Sequence, residues 1–211
     1  MEQKRQQKLQ ALTPEQLRLL ESRAEKTKVV ALDCEFVGVG PSSREHALAR
    51  VSVVNSKGES LYSRFVVPSE TVTDYRSRIT GLSAGNLTAA AGAVPFDEAR
   101  GVVAALLLRR VVVGHGLRND FKVLQLDHPV SAIRDTAKYR PLRLSADDAT
   151  PSLKLLAARV LNKDIQSGVH NPTEDARIAL EIYLKCAEEW ERSVEGMKKS
   201  AAARIKARRR R

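Results

Sequence analysis

Hydrophobic and polar positions change period several times along the chain, and each change marks an element. From Val29 the pattern is that of a strand: VVALDCEFVG (29–38) is near-continuously apolar until two carboxylates, Asp33 and Glu35, interrupt it. β-rich runs predict strands over 28–34, 48–54 and 60–67. Turn signals at Gly40-Pro41-Ser42 and Asn55-Ser56-Lys57-Gly58 separate them, and the second is short enough to make 48–67 a hairpin. Pro95 then opens a helical pattern, FDEARGVVAALLLRR, with acids early and arginines late as the helix dipole favours. VVVGH (111–115) predicts a buried strand, followed by a helix from about Leu117 to Leu126. A short strand near Ile133–Asp135 and a helix over about 152–161 come next. The last helix starts with Asn171 as cap, Pro172 at N1 and Glu174 at N3. An antiparallel meander followed by alternating helices and strands predicts a mixed α/β sheet with helices on its faces.

Upstream, Thr13-Pro14-Glu15-Gln16 is a good helix start, and a helix to about Lys26 would carry Leu17 and Leu20 on one side. A length of 211 residues fits one domain with extensions: a charged helical segment over 1–28, a core over 29–190 and a basic tail over 191–211. The charge follows that division. Residues 1–28 carry seven basic and four acidic side chains, 191–211 carry nine and two, and the core carries 20 and 19. The net +11 is therefore a property of the ends, and ARIKARRRR reads as a phosphate-binding run or a nuclear import signal, against the plainer alternative of a solvated tail. No window holds eighteen consecutive apolar residues, so no membrane helix is expected. MEQKRQQKLQ lacks the apolar run of a secretory signal, and Cys34 and Cys186 make neither a disulfide framework nor a zinc cluster, which fits a reducing compartment inside the cell.

The chemistry-bearing positions begin with Asp33 and Glu35. Residues i and i+2 of a strand share a face, so the two acids point together while Leu32, Cys34 and Phe36 point the other way. Two carboxylates at about 4 Å repel by on the order of 4 kcal/mol at an effective dielectric of about 20, a cost relieved by a bound cation or a shared proton. Solvated acids at an exposed strand end would explain the pair equally well if it stood alone. It does not: Asp120 falls one turn into a helix that follows a buried strand, where open α/β sheets bind ligands. Asp175 lies near the fourth position of the last helix, five residues after His170. Each of these by itself is also a first-turn acid of the ordinary kind.

In order along the chain, DCEFVGVGP, LARVSVVN, VTDYRSRITGL, VVGHGLRNDFKVL, RDTAKY, PSLKLLA and HNPTEDARIALEIYL resemble the motifs of the DEDDh 3′-to-5′ exonucleases, over roughly residues 28–186. The resemblance implies a ribonuclease-H-like fold, a mixed five-stranded sheet flanked by helices. It implies that Asp33, Glu35, Asp120 and Asp175 hold two divalent cations, Mg²⁺ or Mn²⁺, with His170 as general base and RNA 3′ ends as substrate. It further implies that Asp33 bridges both cations and Asp120 acts partly through water. Oxygen-only ligands suit magnesium, and a histidine ordinarily takes up a proton near neutral pH. The family commonly has Met where this chain has Phe36, a departure that leaves DNA open as a substrate. Arg76 matches an arginine placed near the substrate's 2′-hydroxyl, with a surface turn arginine as the alternative. His115 and Asn119 flank the acid-bearing helix as candidate substrate contacts, though a backbone-satisfied His115 is equally consistent. Cys34, between the acids, joins that set by position, with core packing as its simplest role, and Trp190 is expected to pack on the last helix. Among the nearest members the resemblance also implies a nuclear, nucleolar setting and processing of ribosomal RNA precursors. A catalytically idle RNA-binding module is the reading from a different class, disfavoured because all five residues are present.

Overall fold

The computed structural model describes residues 25–143, 150–166 and 168–208, with only the course of the helix from 201 on. The expected N-terminal helix lies outside the described residues apart from its last positions. Seven strands form one mixed sheet: β1 Val29–Val39, β2 Glu45–Asn55, β3 Ser60–Val67, β4 Val72–Asp74, β5 Val94–Pro95, β6 Val111–Gly114 and β7 Ile133–Asp135. Their order is β5-β3-β2-β1-β6-β7, with β4 paired to β1. β1 to β3 run antiparallel as a meander, whereas β6 joins β1, and β7 joins β6, in parallel.

The five strands read from the sequence are β1, β2, β3, β6 and β7, so the sheet exceeds the expected five by β4 and β5. Those two are three and two residues long. β1 also runs five residues past its expected end. The turn read at Gly40-Pro41-Ser42 is present, and the strand runs up to it through Gly38. A Cβ there would meet the Ser43 carbonyl oxygen at 2.8 Å and the Asp74 Cβ at 3.1 Å, so glycine is what lets the chain cross β1 this closely. Asp33 and Glu35 consequently sit in the middle of an 11-residue strand rather than at its end.

The helices are α1 Ser77–Thr80, α2 Phe96–Leu107, α3 Arg118–Val123, α4 Leu153–Leu156, which continues as a π turn over Ala157–Leu161, and α5 Pro172–Arg208. They cover the two larger of three hydrophobic clusters, the third being formed by Val37, Val39, Ala49, Leu82 and Leu87. On one side of the sheet Leu32, Cys34, Val51 and Val53 pack under α2 and α3 with Val102, Leu106, Leu117 and Leu124. On the other side Ala31, Val54 and Val113 pack under α4 and α5 with Leu156, Ala176, Ala179 and Ile182. The alternation of β1 thus places its acids on the α5 side.

Past the sheet, α5 stays tied down. Trp190 stacks on Tyr139 with ring centroids 3.8 Å apart, and buried Arg134 of β7 makes two 2.6 Å hydrogen bonds to Glu191. Among the described residues no helix is long and apolar enough to cross a membrane.

Candidate active site

β1 carries Asp33 and Glu35 side by side, opposite Ser52 and Arg50 of β2. The register slips immediately after Glu35, where Phe36 pairs with Leu48 and leaves Ala49 as an extra residue on β2. Such bulges re-aim side chains beside functional sites. Arg50 is held over the Phe65 ring, 5.1 Å from its centroid, and its charge favours the ionised form of Glu35.

Asp175 reaches the same place from the first turn of α5. Asn171 caps that helix, its Oδ1 accepting from the Thr173 amide at 3.1 Å, and the Asp175 amide donates to the Asn171 carbonyl at 2.9 Å. Two contacts fix the turn on the sheet: the Ser52 and Thr173 hydroxyls lie 2.8 Å apart, and Arg177 Nε donates to the Gly58 carbonyl at 2.7 Å. Gln166, in a left-handed conformation on the preceding loop, donates to Asp175 Oδ2 at 2.8 Å. His170 Nδ1 lies 3.7 Å from the same oxygen, and its backbone amide is anchored on the Ile79 carbonyl of α1 at 2.7 Å. Glu35, His170 and Asp175 offer ligand atoms that all lie within 4.8 Å of one another.

Asp120 approaches from the α3 side. It is buried, and hydrogen bonds from its own amide and from the thiol and amide of Cys34 partly offset the cost of ionising it there. Cys34 faces away from Asp33 and Glu35, as the strand period requires, but α3 folds over it and brings a third carboxylate to its thiol. Cys34 itself is in the core.

Burial raises the proton affinity of all four acids, and the charges of the others add to it at Asp33 and Glu35. Burial, then the charges of Asp120, Asp175 and Glu35, holds the Asp33 carboxyl well above the usual range. Glu35 is pushed up to about 7 by burial and then by Asp175, against the opposing pull of Arg50. Asp120 reaches about 7, chiefly through burial. Asp175 is raised by burial too, with Gln166 and His170 acting in the opposite direction. This is the signature of carboxylates gathered without their counter-charge, and an oxygen-rich donor set of this kind suits hard divalent cations.

The other candidates surround this cluster at different depths. The Phe36 ring is covered by the imidazole of His46, with centroids 5.3 Å apart and planes at 10°. His46 is drawn below its ordinary pKa by partial burial and then by the charges of Arg76 and Lys122. Arg76 has a left-handed backbone (φ 52°), its amide donating to Asp74 Oδ1 and its guanidinium to the Ser43 carbonyl. His115 is half-buried and held against the Thr136 hydroxyl at 2.9 Å, and burial lowers its pKa. Asn119 is exposed on α3 next to Asp120. Sequence reasoning missed Gln166, Arg50 and His46. Arg50 was legible in principle as the cross-strand partner of Glu35, but the bulge makes that register unreadable from pattern alone.

A model of the exonuclease family matches residues 30–183, most of the chain and all of the acids. The chain belongs to the exonuclease family. Relatives named RNA exonuclease 4 include one from Cryptococcus neoformans, 46% identical over 83% of this chain and 42% of its own length. The mouse protein of that name is 43% identical over 83% of this chain and 40% of its own. The chain thus spans less than half the length of these relatives. Among solved structures, the Neurospora crassa Pan2 catalytic unit, with protease and nuclease domains, superimposes with a TM-score of 0.71 at 27% identity, covering 87% of this chain and 31% of that one. The Saccharomyces cerevisiae Pan2 pseudoubiquitin hydrolase–RNA exonuclease module, solved with AAGGA RNA, gives 0.67 at 29% identity over 88% and 34%. The sheet and helices of this exonuclease domain are therefore of the ribonuclease-H-like type.

Proposed function

We propose that the chain is a metal-dependent 3′-to-5′ exoribonuclease that releases nucleoside 5′-monophosphates from RNA 3′ ends. The observation that carries this reading is the convergence of Asp33, Glu35, Asp120 and Asp175, from one strand and two helices, on a single site with His170 at its edge. The similarity to proteins named RNA exonuclease 4, and to Pan2 modules solved with RNA, supports RNA as the substrate.

The donor set fits two divalent cations, Mg²⁺ or Mn²⁺, held by the four acids. When bound they would neutralise the crowded carboxylates and stabilise charge on the attacking and leaving oxygens of a phosphodiester displacement. The protein's own groups do the rest. Gln166 and the capped first turn of α5 orient Asp175. His170, with Nδ1 turned to Asp175, takes the proton of the attacking water at Nε2 as that water's oxygen bonds to phosphorus. The bond from phosphorus to the 3′ oxygen of the preceding nucleotide breaks with its electron pair going to that oxygen, which takes a proton from solvent water and becomes the new 3′-hydroxyl of the shortened strand. The Phe36–His46 stack, on which the charge of Arg76 acts, borders the place where the terminal nucleotide must lie. His115 and Asn119 flank Asp120 as further substrate contacts.

The basic end of the chain supports an additional hold on RNA phosphates and a nuclear, nucleolar location, with ribosomal RNA precursors as the biological substrate. The central test replaces Asp33 by Asn. Loss of 3′-end hydrolysis of a single-stranded RNA with melting behaviour intact is the expected result, and full activity in Asp33→Asn would overturn the reading. Rates on RNA and DNA of one sequence decide the sugar preference, and a chelator control separates hydrolysis from mere binding.

A further inference from the structure

A cleft of about 510 Å³ opens beside α3, and the four acids are not in it. Arg118, Phe121 and Lys122 of α3 line it. At 100° per residue these three fall on one side of the helix, and Asp120 falls on the other. The cleft therefore shares its wall with the acid site but faces away from it. The volume is in the range of ligand-binding clefts.

Its lining combines two kinds of chemistry. Phe121 and His128 stack in parallel, with centroids 5.8 Å apart and planes at 3°, and make an aromatic platform in which one ring backs the other. The imidazole is fixed in place by a 2.9 Å contact between Nε2 and the Arg110 carbonyl, and burial lowers its pKa. Around the platform stand the cations Arg118, Lys122 and Lys138. Two acids, Asp127 and Asp135, also line the cleft against the three cations, and Asp135 is engaged: its Oδ1 accepts from the amides of Gly116 at 2.8 Å and Ala137 at 3.1 Å, and its Oδ2 lies 3.8 Å from Lys138. Flat rings bordered by positive charge are what unpaired bases and their phosphates bind, with stacking tolerant of sequence and cations tracking the backbone.

Phe36, which stacks on His46, and Phe121, which lines the cleft, pack against one core under α3, and the charge of Lys122 acts on His46. Resting on the exoribonuclease reading, we infer that the cleft is an upstream subsite for single-stranded RNA. The strand segment 5′ of the scissile bond passes from the Phe36–His46 stack over α3, lays a base on Phe121 and His128, and pairs its phosphates with Arg118, Lys122 and Lys138. An enzyme that consumes a 3′ end has all of its remaining substrate on the 5′ side. A subsite there makes affinity depend on the length of the strand without touching the chemistry.

The test compares wild-type chain with the double variant Arg118→Glu/Lys138→Glu and with His128→Ala. The substrates are a single-stranded RNA long enough to span the cleft and a dinucleotide that reaches only the acids. Both charge reversals lie at exposed positions, and melting curves check that the fold is kept. For the long RNA the double variant should raise KM about tenfold at unaltered kcat, and its dependence of log KM on log salt should flatten by about 1.4, roughly 0.7 for each lost phosphate contact. Its kcat/KM on the dinucleotide should equal that of wild type. His128→Ala removes a ring and should raise KM for the long RNA several-fold with the salt slope kept. Wild-type KM and salt slope in the double variant would overturn the subsite. An unaltered KM in His128→Ala would overturn the stacking. A double variant that loses inhibition by free nucleoside 5′-monophosphate while keeping its KM for long RNA would make the cleft a mononucleotide site, and overturn the strand path. If wild type hydrolyses neither RNA, it is the exoribonuclease reading that falls.

Discussion

Replacing Glu35 by glutamine should make the metal-free protein more stable while removing its activity. Glu35 is 7% exposed and faces Asp33, Asp120 and Asp175, and its pKa is pushed up from the usual 4.5 to about 7. A group whose folded-state pKa is raised contributes stability that is fully present below the unfolded pKa and is lost as pH rises through the folded one. For Glu35 that window runs from about pH 4.5 to about pH 7. Above it, the ionised side chain costs the fold on the order of 3 kcal/mol, because a tenfold change in proton affinity is worth about 1.36 kcal/mol. Glutamine keeps the shape and cannot ionise. With chelator at pH 8, Glu35→Gln should therefore resist urea by about 3 kcal/mol more than wild type, equivalent to roughly 6–12 °C in melting temperature for a chain of this size. At pH 4 the advantage should vanish, because wild-type Glu35 is then protonated. Added Mg²⁺ should stabilise wild type more than the variant. A variant no more stable than wild type at pH 8, or a gap unchanged on acidification, would refute the account of these carboxylates as mutually repelling.

Gln166→Ala removes the 2.8 Å donor to Asp175 and should lower metal affinity or kcat by about 10–100-fold, read from a Mg²⁺ titration of the rate, with the RNA KM little changed. Gly114→Ala places a Cβ 2.7 Å from the Leu32 carbonyl oxygen of β1, an atom that cannot move aside, and 2.4 Å from Leu117 at the start of α3. It should cost about 1–3 kcal/mol in urea unfolding and lower activity as well, because the displaced helix carries Asp120. Glu191→Ala leaves the buried Arg134 guanidinium only the Ser131 and Ile133 carbonyls and should destabilise by about 1–3 kcal/mol, while the rate measured well below the lowered melting temperature stays near wild type.

Much of this site was legible before folding. The two-residue spacing of Asp33 and Glu35 puts them on one face of any strand, and the Asn171-Pro172 start puts Asp175 on the first turn of a helix in any context. These are local consequences of backbone period and capping, so they survive without knowledge of the fold. β1, β2 and β3 were readable for the same reason, since each is long enough for its apolar pattern to repeat, whereas β6 and β7, four and three residues long, were read from their place between helical patterns. β4 and β5 were not, because two or three residues carry no period and exist as strands only where β1 and β3 offer them hydrogen bonds.

The tertiary structure decided everything that depends on two distant segments meeting. Gln166 reads as an ordinary loop residue until the loop before α5 turns it onto Asp175. Cys34 belongs by period to the face away from Asp33 and Glu35, and only the fold of α3 brings Asp120 to its thiol. The stacks of Phe36 on His46 and of Phe121 on His128 join residues whose spacing in sequence implies no contact. Chain entropy hides such pairings from sequence: local hydrogen-bonding preference fixes where a strand or helix begins, but only the burial of both faces of the sheet fixes which elements lie together. The sequence by itself determined which residues could bind and cut. The packing of α3 and α5 on opposite faces of β1 decided that four acids share one site, and that the acid-bearing helix turns its other side to a second cleft.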